Sequence, residues 1–135
     1  MWRQRRPKVI LDIEAGQTGL STRKLVLESF GYNVLAAASG REALPLLADH
    51  RIDAVLLDWS ANDIPLQELV SRIKAARRVP IVLVADTSFI PRELSGYVEE
   101  ALEKLGDPQE AVQKLDKVLG IVDAPNAMGK ALDKP

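Results

Sequence analysis

The stretch Ile52-Asp53-Ala54-Val55-Leu56-Leu57-Asp58, followed at once by Trp59-Ser60-Ala61-Asn62-Asp63, decides the fold. A short apolar run bounded by polar residues reads as a strand buried on both faces, the pattern of parallel sheets covered by helices. The run ends on a carboxylate. Open α/β sheets gather their chemistry in the crevice outside the carboxyl ends of the strands, so Asp58 is the first candidate for function.

Working outward, short apolar runs alternate with helical patterns, which argues for βαβ units and a parallel sheet. Before the central run, Val9 to Ile13 and Asn33 to Ala37 read as strands. Between them Leu20, Lys24, Leu25, Leu27 and Phe30 predict a helix with an apolar stripe, stopped by Gly31. Ser39 is placed to cap a second helix over Gly40 to His50, with Leu44, Leu46 and Leu47 inward and Pro45 as a kink. After the central run, Leu66 to Ala76 predicts a third helix through Leu66, Leu69, Val70 and Ile73, and Ile81 to Ala85 a fourth strand. Pro91 and Gly96 leave room for one or two helical turns between Asp86 and Tyr97. Ala101 to Leu105 predicts the fifth strand. Asp107 then acts as N-cap and Pro108 as the first residue of a last helix reaching Leu119.

Composition narrows the function classes. The chain has 135 residues, 47% of them hydrophobic and 27% charged, as one soluble domain requires. A formal charge of −1 gives no global attraction to nucleic acid or anionic lipid. Without cysteine there is no thiol chemistry, and the lone His50, read as a surface residue, cannot build a multi-histidine metal site. Arg3, Arg5, Arg6 and Lys8 form a basic arm read as solvated, and nothing here is long enough to span a membrane. A cytoplasmic protein is expected.

Several segments together resemble the receiver domain of two-component response regulators, over about Lys8 to Leu119. These are Leu20 to Ser39 with its Gly31-Tyr32 turn, Gly40-Arg41-Glu42-Ala43-Leu44, Leu56-Leu57-Asp58, Val79-Pro80-Ile81-Val82, and Lys104 followed by Asp107-Pro108-Gln109-Glu110. The resemblance implies a flavodoxin-like (βα)5 three-layer sandwich with a parallel five-stranded sheet in the order 2-1-3-4-5. It divides the chain into a receiver-like domain at 8–121, a basic arm at 1–7 and a flexible tail at 122–135. Asp58 would be the phosphoacceptor and Lys104 the partner of the phosphoryl group. Glu14, Asp58 and the backbone carbonyl of Ser60 would hold Mg²⁺, a hard cation that prefers oxygen ligands in octahedral geometry.

The match is incomplete at the site. Counting back from Gly31 puts Glu14 and Ala15 where the family has two acids, so only weak Mg²⁺ binding is expected. The switch hydroxyl falls on Ala85, with Thr87 and Ser88 further along the loop as substitutes, and the fifth-strand aromatic falls on Ala101. Two readings of Asp58 stay open: an acceptor still in use, or a strand-end carboxylate that caps the following loop. Lys104 is likewise either a switch residue or a plain ion-pair partner. Asp12 lies inside a strand, where a carboxylate is costly unless paired or protonated. It is either a second acid on the face of Glu14 or a residue at an edge or partly solvated position. Trp59 is expected at the rim of the crevice.

The function expected is a stand-alone, non-enzymatic receiver-like protein with a degenerate site, acting by protein contact on an unknown downstream partner. Its docking face would be the fourth strand, the short helical region after it and the fifth strand. The first alternative is an active receiver phosphorylated on Asp58 by a histidine kinase or phosphotransfer protein. A small flavodoxin-like enzyme or nucleotide binder is the other, disfavoured because Gly16 and Gly19 alone do not make a phosphate loop. Neither nucleic acid nor membrane is expected as a partner, and the protein is expected to be a monomer or weak homodimer.

Overall fold

The computed structural model describes residues 6–16 and 21–121. Leu20, Gly19, most of the basic arm and the tail at 122–135 lie outside them. The sheet has five parallel strands, β1 (Val9–Ile13), β2 (Asn33–Ala37), β3 (Ala54–Asp58), β4 (Ile81–Ala85) and β5 (Glu100–Glu103), in the order β2-β1-β3-β4-β5. The helices are α1 (Thr22–Ser29), α2 (Gly40–Asp49), α3 (Leu66–Ala76) and α4 (Gln109–Leu119). The connection from β4 to β5 carries a single 3₁₀ turn, Arg92–Leu94, within the one or two turns expected there.

Strand alternation divides the core into two layers. Leu11, Ile13, Val55, Leu57, Ile81 and Leu83 pack beneath α2 and α3 against Ala43, Leu47, Leu69, Val70 and Ile73. Ile10, Leu56, Val82, Val84 and Leu102 pack on the other face against Leu27 of α1 and Ala111, Val112 and Leu115 of α4. All five residues of β3 and of β4 are buried, which is why these strands read as unbroken apolar runs.

Capping sets the helix ends. Ser39 Oγ accepts from the Glu42 amide, and Asp63 adds a second cap to α2 by accepting from the Gly40 and Arg41 amides. Asp107 Oδ1 accepts from the Gln109 amide, and the last helix begins at Gln109, one residue after the predicted Pro108, which sits in the cap position with helical backbone angles. Gly31 after α1 and Gly120 after α4 take positive φ of 96° and 67°, the left-handed conformation that stops a helix.

Three expectations need correction. Leu25 and Phe30 are more than half exposed, so the apolar stripe of α1 reduces to Leu27 with Val26 partly buried. The third strand begins at Ala54 rather than Ile52, because Asp53 is used in joining the chain to β1: its carboxylate accepts from the Val9 amide. The fifth strand runs Glu100–Glu103, and Leu105 stands 97% exposed in the turn closed by the Gly106 amide on the Glu103 carbonyl.

Candidate functional site

The register brings the chemistry to one rim. Asp12 pairs with Leu56 and Ile13 with Leu57, so Glu14, one residue past β1, is level with Asp58 at the end of β3. Asp12, Glu14 and Asp58 share the parity of Ile10 and Leu56 and therefore face α1 and α4. Lys104 follows β5 directly, its amide donating to the Ala85 carbonyl, and its side chain reaches the same place. Lys104 Nζ lies 3.3 Å from Asp58 Oδ2 and 3.7 Å from Glu14 Oε2.

Arg23, from the first turn of α1, stands among the three acids. Its Nη1 donates to Asp12 Oδ1 at 3.1 Å and its Nη2 to Asp58 Oδ2 at 3.0 Å, with Glu14 Oε2 3.6 Å from Nη2. Ser21 caps the helix through the Lys24 amide and so fixes where the Arg23 stem leaves it. Arg23 is also four residues before the buried Leu27, hence on the sheet-facing side of α1. The sequence reading gives Arg23 no site role and leaves Asp12 open between a second acid on the face of Glu14 and an edge or partly solvated position; the structure places it on the face of Glu14. The signal was present: a carboxylate inside β1 calls for a cation, and the helix packed on that face carries one opposite it.

Burial and pairing set the charges. Asp58 is fully buried, which alone would raise its pKa, but the Ser60 amide on Oδ1 at 2.9 Å and the Arg23 guanidinium hold it below the ordinary value. Asp12 is fully buried too, in the strand between β2 and β3, so the edge or partly solvated position is excluded. Its burial outweighs the opposing pull of Arg23, and with the Glu14 charge nearby its pKa rises to about 6. Burial works against the Arg23 charge, yet Asp12, Asp58 and Glu14 more than reverse that, leaving its pKa above the ordinary value.

The remaining predicted residues fall as follows. Ser60 places its amide on Asp58, its Oγ accepts from the Ala15 amide, and its carbonyl accepts from the Asn62 amide. Ala85 is buried in the layer under α2 and α3. Thr87 and Ser88 are exposed, and the Thr87 hydroxyl accepts from the Phe89 amide within its own loop. Trp59 is partly exposed beside Asp58. A cleft of about 290 Å³ opens between the start of α1 and the turn after β5, with Glu14, Arg23, Lys104 and Pro108 in its wall.

Mg²⁺ does not fit this donor set as it stands. The Asp58 and Glu14 oxygens that would turn toward an ion face Nη2 of Arg23 instead. Among the described residues, no group of three or more acidic, histidine or cysteine side chains is arranged to hold a metal.

Comparison with known proteins agrees with this fold. No family model matches the chain. Among solved structures, a CheY-like response regulator receiver domain protein from Methanospirillum hungatei superposes with a TM-score of 0.75 at 22% identity, covering 85% of this chain and 95% of that one. Among curated proteins, the chain is 26% identical over 81 residues to the polar-differentiation response regulator DivK of Brucella anthropi, covering 58% of this chain and 66% of that one. It is also 26% identical over 122 residues to the phosphate regulon transcriptional regulatory protein PhoB of Pseudomonas aeruginosa, covering 82% of this chain and 53% of that one. The chain has the fold of response-regulator receiver domains and is similar in sequence to curated response regulators. It spans between about half and two thirds of the length of the first curated relatives it matches. Receiver domains are signalling modules rather than enzymes of metabolism, and they interact with histidine kinases or phosphotransfer proteins. No helix among the described residues is long and apolar enough to cross a membrane.

Proposed function

We propose that this receiver is a degenerate one, a cytoplasmic module of two-component signalling that works by protein contact and does not cycle through phosphorylation of Asp58. The observation that carries this reading is the engagement of both acceptor oxygens. Oδ1 accepts from the Ser60 amide, with Lys104 Nζ 3.4 Å away, and Oδ2 accepts from Arg23, with Lys104 3.3 Å away. In-line attack on a phosphoryl donor needs a free carboxylate oxygen and a cation bridging acceptor and donor. Here the cation nearest the acceptor is already saturated by acids. Ala85 adds to the case, since its methyl group offers no hydrogen bond that could read a phosphoryl group. Output would then come from a constitutive face formed by β4, the 3₁₀ turn and β5.

One observation favours the active alternative: Asp58 is held ionised, as a nucleophile must be, with Lys104 in reach. The test is incubation of the full chain with acetyl phosphate and Mg²⁺, followed by intact mass. No added phosphoryl group is expected. A single addition that disappears in Asp58→Asn would refute the degenerate reading and establish Asp58 as an acceptor in use.

A further inference from the structure

We propose that Arg23 is the resident cation of this pocket, a guanidinium tethered to α1 that takes the charge-neutralising position of a divalent ion and excludes it. The inference rests on reading the pocket as a receiver's, but it concerns a different property from phosphorylation.

Three carboxylates converge on one group. Two nitrogens of Arg23 lie 3.0 to 3.6 Å from oxygens of Asp12, Glu14 and Asp58. A guanidinium suits this position because it presents several donors in a rigid planar fork and keeps its charge in proteins. Asp12, one layer down β1 from Glu14, receives Nη1, and so directs Nη2 to the rim where Glu14 and Asp58 face each other. Asp12 is thus a positioning residue for Arg23.

The same placement excludes a metal. Mg²⁺ requires oxygens at about 2.0–2.1 Å in near-octahedral geometry and gives up its water reluctantly. Glu14 and Asp58 would both have to supply it from the side on which Nη2 now stands. A divalent ion there would also meet the Arg23 charge in a largely buried setting, with side-chain exposure of 13% for Arg23 and none for Asp58. The pocket holds three acids, Asp12, Glu14 and Asp58, against two bases, Arg23 and Lys104. Loss of Arg23 would leave two fully buried acids with one base at the rim.

The experiment uses the full chain in a Trp2→Phe background, stripped with EDTA, so that Trp59 reports alone. Mg²⁺ or Mn²⁺ is titrated into this protein and into Arg23→Ala and Arg23→Lys, reading fluorescence and the thermal midpoint. The protein with Arg23 is expected to give no saturable response in the millimolar range. Arg23→Ala is expected to melt lower by on the order of 10 °C. Part of that loss should be regained saturably with Mn²⁺, Mg²⁺ or free guanidinium ion, and not with sodium chloride. Should Arg23→Ala fail to fold, Arg23→Lys, which keeps the charge but loses the fork, is expected to melt below the parent and to ignore metal. Saturable metal binding with Arg23 in place would overturn the assignment, as would a parent-like or metal-saturable Arg23→Lys. So would an Arg23→Ala midpoint that is unchanged, or one that is lowered and rescued by neither metal nor guanidinium. Acetyl phosphate labelling of the metal-free parent would sink the proposed function and leave this role of Arg23 standing. Metal binding by a parent that is never labelled would do the reverse.

Discussion

Replacing Asp12 by Asn should stabilise the protein near neutral pH and flatten its stability between about pH 4.5 and 7. Asp12 is fully buried in β1, and its pKa is raised from 3.8 to about 6, by burial first and with Glu14 adding, against the pull of Arg23. A raised carboxyl pKa means that the folded state binds the proton more tightly than the unfolded state does. The contribution of Asp12 to stability is therefore complete below the unfolded value near 3.8 and is lost as pH rises through about 6. At about 1.4 kcal/mol per tenfold change in proton affinity, the full loss is about 3 kcal/mol. Asn keeps the shape and an acceptor oxygen for Arg23 but never ionises, so a gain of about 1–3 kcal/mol is expected above pH 7. Asp58, Asp63 and Glu100 have lowered pKa values, and their opposite trend belongs to more acidic solution. Urea unfolding across the range, with EDTA present, measures both quantities. The reasoning fails if the parent is equally stable at both ends of that window, or if Asp12→Asn is less stable than the parent above pH 7.

Pro45 lies inside α2, which nonetheless runs unbroken from Gly40 to Asp49. Pro45→Ala restores a helical donor toward the Arg41 carbonyl and should raise stability by about 1–3 kcal/mol, less whatever the unfolded chain gains in freedom. An unchanged urea midpoint would refute it. Tyr32 is nearly buried and its hydroxyl donates to Asp116 of α4; burial, and then Asp116, push its pKa well up. Tyr32→Phe removes the donor and should cost about 1–3 kcal/mol, a drop of several degrees by calorimetry. Leu56 is fully buried in the layer beneath α1 and α4, so Leu56→Ala should cost about 2–5 kcal/mol with an unchanged denaturant slope. A cost under about 1 kcal/mol would mean that this layer is loosely packed.

The ends of β1, β2, α3 and β4 could be read from residue order alone because each is bounded by an abrupt change from apolar to polar or by proline and glycine. The misplacements arose where charge enters an element for a tertiary reason. Glu100 begins β5 because Lys114 and Lys117 of α4 lie 3.0 and 2.8 Å from its carboxylate, a pairing invisible along the chain. Leu105 has the composition of a strand residue, yet the tight turn at Gly106 expels it. In α1, five candidate apolar or amphipathic positions left the inward face ambiguous. The helix is only eight residues long, and what it presents to the sheet at its first turn is Arg23.

Two features that look unfavourable singly account for each other. A carboxylate in the middle of a buried strand is expensive, and so is an arginine on the buried face of a short helix. Placed opposite one another at 3.1 Å they form a charge-assisted pair, with the rest of the fork free to reach Asp58 and Glu14 at the rim. On the proposed reading, the absent second acid after β1 and the absent hydroxyl at Ala85 then belong to one exchange rather than to separate losses. A pocket whose cation is part of the chain has no ion to recruit and little use for a group that senses a phosphoryl arrival. Such a module would hold one arrangement of its β4–β5 face, and its affinity for a partner would not depend on Mg²⁺ or on a phosphoryl donor.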